Sequence, residues 1–297
     1  MPDLTLDGAR IAYMEAGSGP PLVFCHEFAG SMESWEPQAG YFSRFYRVIA
    51  YNAKGYPPSQ VPDSWQEYTW DRQVAVLFEL LEALSIERAH VCGLSMGAYT
   101  AVQFALAHPE RCRAVVAAGV GTGSEDPDAF LDDMDRRAAL LEVKGMASME
   151  PYLAGATRVR FLEKDPRGWE RFATLFRAHS ARGSANTLRG FQGRRPSIYT
   201  RAADLSRLGV PLLVICGDED DPCIEPSLFL KRTVPGCGLT VLPHTGHACN
   251  LEEPAAFNQA VAEFLARAEA GRWAPRPEDS GDILGAPRHE AETSGTR

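Results

Sequence analysis

The sequence predicts an α/β protein with a mostly parallel, doubly wound sheet of about eight strands. Three observations carry that prediction: short runs apolar at nearly every position, amphipathic helical patterns between them, and an Asp-Gly hairpin at the start of the chain. Strands apolar on both faces belong to parallel sheets covered by helices. Their alternation with helices indicates βαβ units.

The hairpin comes first. Leu4-Thr5-Leu6 and Arg10-Ile11-Ala12-Tyr13 flank Asp7-Gly8, which supplies the φ > 0 residues of a tight antiparallel turn. Apolar runs suited to buried strands follow at 22–25, 47–51, 89–92, 113–118, 212–216 and 239–242. Between 71 and 84, Val74, Leu77, Leu81 and Leu84 recur at spacings of three and four, the stripe of an amphipathic helix. Residues 96–107 are small and apolar almost throughout and stop before Pro109, as a buried helix does. A last helix is expected at 255–268, with Phe257, Val261, Phe264 and Leu265 on one face.

The alternation breaks between 121 and 208. That stretch is helical and loop-like, rich in Pro, Gly and charge, and reads as an insertion over one end of the sheet. Residues 1–120 and 209–270 then form one core domain. From 271 to 297 the chain is rich in Pro, Gly, Glu and Arg with little periodicity, and is expected to be a disordered tail.

Composition narrows the function. Of 297 residues, 45% are apolar and 23% charged, which permits a sizeable core. The net charge of −9 argues against a general nucleic-acid binder, which needs a positive surface. No apolar run reaches the roughly 20 residues that span a bilayer. Met1-Pro2-Asp3-Leu4 has no basic region followed by an apolar stretch, so no secretory signal is expected. Seven cysteines cannot all pair within the chain, and several sit in apolar runs, which points to a reduced, cytoplasmic setting. The expected partner is a small-molecule substrate; monomer and homo-oligomer are both compatible with the sequence.

The chemistry centres on Gly93-Leu94-Ser95-Met96-Gly97, a G-x-S-x-G between a strand and a helix. A sharp strand-to-helix turn strains the serine backbone and exposes its hydroxyl, and flanking glycines prevent clashes. A serine needs a base to take its proton, and the base needs an orienting group. Gly217-Asp218-Glu219-Asp220-Asp221 follows one strand and Pro243-His244-Thr245-Gly246-His247 another, at the strand ends where parallel sheets gather their sites. His247 is preferred to His244, which sits at a strand end beside Pro243. Asp220 is preferred to Asp218, a turn cap, and to Asp221, which before Pro222 points outward.

These motifs resemble the α/β-hydrolase superfamily over residues 4–268. They run in the order His26-Glu27-Phe28-Ala29-Gly30, Asn52-Ala53-Lys54-Gly55-Tyr56 with Ser59, the Ser95 turn, Gly217-Asp218-Glu219-Asp220, and Gly246-His247 with Glu252-Glu253-Pro254. The resemblance implies Ser95, Asp220 and His247 as catalytic triad, and the backbone N–H groups of Phe28 and Met96 as oxyanion hole. It also implies that 121–208 is a helical cap inserted after the sixth strand, and it implies no cofactor; no cysteine spacing suggests a metal.

His26 is expected to be structural, holding the loop it opens, with a direct substrate contact as the lesser reading; a contact to substrate or water is the lesser reading for Glu27 as well. Glu27 stands where the superfamily usually has glycine; pointing away and pairing with a loop donor is the expected orientation. The later cap is basic, with eleven arginines from Arg158 to Arg207, including Arg160, Arg167, Arg195 and Arg201. They are read first as a solvated face with ion pairs to the acidic core, and second as a steering surface for an anionic substrate. Tyr152, Phe161, Trp169, Phe172, Phe176 and Phe191 are expected mostly in the cap core, with one or two lining the pocket, and His179 as a packing residue.

The function expected is hydrolysis of a carboxylic ester or lactone through an acyl-enzyme. The alternatives are carbon–carbon cleavage of a diketone-like metabolite by the same triad, and a ligand-binding, receptor-like protein with little turnover. An Asp-nucleophile chemistry is disfavoured because Ser95 stands at the nucleophile position.

Overall fold

The computed structural model describes residues 1–121 and 126–275. Eight strands form one sheet: β1 (Asp3–Leu6), β2 (Ala9–Ala16), β3 (Pro21–Cys25), β4 (Arg47–Tyr51), β5 (Ala89–Leu94), β6 (Cys112–Ala118), β7 (Leu212–Gly217) and β8 (Cys237–Leu242). Their spatial order is β1-β2-β4-β3-β5-β6-β7-β8. β2 runs antiparallel to β1 and β4, and every later pairing is parallel. β5 and β7 are buried at every residue, as their unbroken apolar character requires.

The helices before the insertion are α1 (Glu36–Phe42), α2 (Trp70–Ala83) and α3 (Met96–Ala107). Between β6 and β7 lie α4 (Pro127–Lys144), α5 (Glu150–Leu153), α6 (Val159–Lys164), α7 (Pro166–Arg177), α8 (Ala181–Thr187) and α9 (Ala202–Leu205), called the cap below. The chain closes with α10 (Asp221–Thr233), α11 (Cys249–Glu252) and α12 (Pro254–Glu269). One face of the sheet packs Val74, Leu77, Leu81, Phe104 and Leu230 of α2, α3 and α10. The other packs Phe42 of α1 and Phe257, Val261, Phe264 and Leu265 of α12. Among the described residues no helix is long and apolar enough to cross a membrane.

The cap builds its own apolar cluster. Trp169, Phe172 and Phe176 recur at three and four residues along α7 and bury against Phe161, Met149 and Leu153. Asp165 starts that helix by accepting the Gly168 N–H at 2.9 Å. Phe191 departs from expectation, since it joins the core cluster, with its ring edge-on to Tyr99 at 5.8 Å. The cap arginines are mostly bolts. Among the described residues, Arg160 pairs with Glu219, Arg171 with Glu36 and Arg182 with Asp63 of the core. Arg177, Arg189 and Arg194 pair with Glu150, Glu142 and Asp135 of the cap itself. These pairs fit the first reading of the basic cap, ion pairs to the core and within the cap itself.

The tail expected from 271 onward begins with an anchor. Trp273 packs edge-on against Phe264 at 4.7 Å, and its indole N–H donates to the Gly236 carbonyl at 2.7 Å. Burying an aromatic body while satisfying its N–H outweighs the local polar composition. Residues 276–297 of the expected tail lie outside the described residues.

The cap meets the core through bare backbone at Gly183, where a Cβ would lie 2.1 Å from the Gly55 carbonyl oxygen. Substituting Gly183→Ala is expected to destabilise the protein by about 1–3 kcal/mol. A urea titration should show this as a lower midpoint at unchanged slope.

Candidate active site

β5 passes into α3 through Ser95, whose backbone sits at φ 55 and ψ −110. That conformation is uncommon for a residue with a side chain. Two glycines make it accessible: a Cβ at Gly93 would lie 2.1 Å from the Gly97 carbonyl oxygen, and one at Gly97 would lie 2.0 Å from that of Cys25. The turn is held by the Ser95 N–H donating to the Ala118 carbonyl at 2.8 Å.

β8 ends at Leu242, and the following loop returns His247 over the carboxyl end of the sheet. The His247 N–H donates to the Thr157 carbonyl of the cap at 2.7 Å, and the Gly246 N–H donates to Glu252 Oε2 at 2.8 Å. Asp220 follows β7, and its Oδ2 lies 2.7 Å from His247 Nδ1. The neighbours rejected on sequence grounds are occupied elsewhere. Asp218 accepts the Thr245 N–H at 3.1 Å, Asp221 is exposed, and His244 is exposed with Nδ1 3.1 Å from Glu219 Oε1.

Both members of the Asp220–His247 pair are buried. Burial pushes the Asp220 carboxyl up, but the charge and hydrogen bond of His247, with Cys223 and Arg158, outweigh it and hold the group below its ordinary value. Burial pushes His247 down, and the Asp220 carboxylate more than reverses this, leaving the imidazole above 6.5. An Nδ1–H pointing at Asp220 leaves Nε2 as the nitrogen that exchanges a proton.

The oxyanion-hole candidates sit on either side of Ser95. Met96 opens α3, so its N–H is one of those a helix leaves without an internal acceptor. The Gly30 N–H donates to the Glu27 carbonyl at 3.1 Å, closing a turn whose second residue is Phe28. The N–H of such a residue points out of the turn, and the Phe28 ring packs edge-on against Tyr152 of the cap at 5.7 Å. Phe28, Ser95, Asp220 and His247 share the wall of a cavity of about 400 Å³. Phe130, Met134, Met149, Tyr152 and Leu188 give it an apolar lining, while Arg158 and Gln192 add polar groups. A hollow of about 510 Å³ beside the β1–β2 turn, lined by Asp7, Glu67 and Arg72, shares no residue with it.

One expectation agrees with the structure and one needs correction. His26 is structural, as its first reading has it, and the lesser reading as a substrate contact fails. Its Nδ1 is 2.7 Å from the Glu27 carbonyl and its Nε2 accepts the Ala53 N–H at 3.0 Å, so both nitrogens bind backbone. Burial lowers it to about 4, which keeps the ring neutral and suited to that structural duty. Glu27 does not point away. Its side chain is buried, pairs with Arg158 of the cap at 2.7 Å, and brings Oε2 to 3.7 Å from His247 Nε2. A carboxylate in an apolar interior goes to the nearest cation, and the cap, not the loop, supplies one.

Sequence reasoning missed Arg158 as part of the site, because it was one of eleven similar residues. The signal was indirect: an acid in place of the usual glycine demands a counter-charge. His179 does pack as expected, with Nε2 donating to the Ala29 carbonyl at 3.2 Å and so bracing the Phe28 loop. Cys223 adds a thiol, its Sγ 3.3 Å from the Gly119 carbonyl and 3.8 Å from His247 Nδ1. Asp220, Cys223 and His247 place donor atoms within 4.8 Å of one another, but ligating a metal would break the Asp220–His247 hydrogen bond.

Comparison with known proteins bears on the fold and the family. A family described as alpha/beta hydrolase fold matches residues 20–254. The chain is 29% identical to 3-oxoadipate enol-lactonase 2 of Acinetobacter baylyi, over 89% of this chain and 96% of that one. It is 26% identical to a 2-hydroxy-6-oxononadienedioate/2-hydroxy-6-oxononatrienedioate hydrolase of Pseudomonas putida, over 87% of this chain and 88% of that one. The fold matches the crystal structure of an enol-lactonase from Burkholderia xenovorans with a TM-score of 0.79 at 24% identity, covering 89% of this chain and all of the other (100%). The turn at Ser95, the sheet order and the family match lead to one conclusion: the chain belongs to the α/β hydrolase fold family.

Proposed function

We propose that this protein is a serine hydrolase that cleaves a small-molecule carboxylic ester or lactone through an acyl-enzyme. The observation that carries the reading is the 2.7 Å contact between His247 Nδ1 and Asp220 Oδ2, on the wall of the cavity that also holds Ser95. Ser95 attacks the carbonyl carbon while His247 Nε2 takes its proton. The N–H groups of Phe28 and Met96 receive the oxyanion, each typically worth about 3–4 kcal/mol. His247 returns the proton to the leaving oxygen, and water then releases the acyl group by the same route. Asp220 keeps the imidazole in the required tautomer. The largely apolar cavity wall suits a small acyl chain. Seven free, buried cysteines support a cytoplasmic setting.

A second reading keeps the same triad but breaks a carbon–carbon bond in a diketone-like substrate. The likeness to the Pseudomonas putida hydrolase of a 2-hydroxy-6-oxo acid favours it.

Turnover of a short-chain activated ester is expected from the unaltered protein. Ser95→Ala is expected to lose at least about 10³-fold in kcat, and a serine-directed phosphonate should add its mass at Ser95. Binding without turnover, and no adduct, would favour a receptor-like protein. Asp220→Asn is expected to lower kcat by about 10⁴-fold, because the amide stabilises the wrong tautomer. The base must be neutral and its imidazole is raised, so kcat/KM should fall with decreasing pH through a limb displaced upward from that of an ordinary imidazole.

A further inference from the structure

His247 stands between two carboxylates. Asp220 meets Nδ1 at 2.7 Å, and on the other edge of the ring Glu27 Oε2 lies 3.7 Å from Nε2. Triad chemistry does not call for the second one. Glu27 is buried, its Oε1 has no partner among the described residues, and its Oε2 accepts from Arg158 Nη2 at 2.7 Å. The same Nη2 is 2.9 Å from the Tyr152 hydroxyl, and the guanidinium stacks 4.3 Å over that ring.

The ionisable groups facing His247 come from every element packed on it. They are Asp220 and Cys223 at the start of α10, Glu252 on α11, Glu27 after β3, and Arg158 and Tyr152 from the cap. Among the described residues, the ion pair on the Nε2 edge is with Glu27, itself paired with Arg158.

We propose that Glu27 is a positioning residue that stabilises the imidazolium formed when His247 Nε2 takes the Ser95 proton, with Arg158 of the cap fixing the carboxylate and limiting its reach. The inference rests on the reading of Ser95 as nucleophile and His247 as base. In that step a bond forms between Ser95 Oγ and the carbonyl carbon, the carbonyl π pair moves onto oxygen, and the hydroxyl proton moves to Nε2. The positive charge so created faces Oε2 across 3.7 Å in a buried site, where screening is weak. Pairing with Arg158 shortens the range of the Glu27 charge. It therefore acts where it is nearest, at Nε2, and opposes the oxyanion less than a lone carboxylate would.

The sign of the effect differs for the two partners, and that makes it testable. Removing the Glu27 charge disfavours the imidazolium; removing the Arg158 charge favours it. The experiment titrates the His247 imidazole by NMR in Ser95→Ala protein, alone and with Glu27→Gln, Arg158→Gln or both. The same substitutions in the otherwise unaltered chain give kcat/KM against pH. Glu27→Gln is expected to move the titration and the acid limb to lower pH by about 1, Arg158→Gln to move both to higher pH, and the pair together to return near the parent. A merely structural pair would alter stability without opposed movements.

Movement in the same direction for both, or movement below about 0.3 in pH for both, overturns the proposal. Should Glu27→Gln fail to fold, Arg158→Gln decides: a titration that stays or falls is the overturning result. Opposed movements in the Ser95→Ala protein support the role of Glu27 even where the unaltered chain turns over no ester and takes no phosphonate. In that case it is the hydrolase reading that fails.

Discussion

Helix α3 rests on strand β3 at Gly97, where a Cβ would lie 2.0 Å from the Cys25 carbonyl oxygen. Much of the site's geometry follows from this approach of backbone to backbone. It brings the start of α3 to the end of β3, so the Met96 N–H and the loop carrying Phe28 meet on either side of one point. It also leaves the chain too little room to turn with an ordinary backbone, which puts Ser95 at φ 55. Strain of this kind persists only when the surroundings over-determine it. Here they do, through a buried strand on each side of β5 and a helix that is buried along most of its length.

The histidine side is built by the same device. A Cβ at Gly217 would lie 2.2 Å from the Thr245 carbonyl oxygen, and one at Gly246 would lie 2.2 Å from that of Thr157. The first approach sets the His247 loop on the end of β7, beside Asp220. The second sets the cap on the His247 loop, where the Thr157 carbonyl takes the His247 N–H. The cap is therefore part of what aims the imidazole, as well as a lid over the pocket. Its neighbour in sequence, Arg158, reaches Glu27 because Thr157 is seated there.

Most of this was legible in the residues, for a physical reason. Buried parallel strands must be apolar on both faces, so β3 to β7 announce themselves, and a turn as tight as that at Ser95 writes glycines at fixed offsets. Asp220 and His247 could be chosen over their neighbours from strand ends and turn chemistry. What could not be read was pairing between distant segments. Glu27 and Arg158 are 131 residues apart, and nothing local marks either as the other's partner. For the basic later cap, ion pairing could be expected from composition but its partners, in α4 and on the core, could not be named. Trp273 illustrates the converse case: one aromatic residue docks 271–275, the start of a stretch whose composition reads as disordered.

The Glu27–Arg158 pair is hard to explain by stability. Burying two charges costs several kcal/mol per ion before their attraction is counted, and apolar replacements for such pairs are often neutral or stabilising by about 1–4 kcal/mol. This pair is not even fully satisfied, since Glu27 Oε1 and Arg158 Nε are buried without partners among the described residues. Each such atom costs about 1–3 kcal/mol. Removing one partner alone would cost about 3–5 kcal/mol, because the other charge would stay buried and uncompensated. Cap and site share one seat: the segment at Thr157 supplies the acceptor of the His247 N–H and, at Arg158, the counter-charge of Glu27.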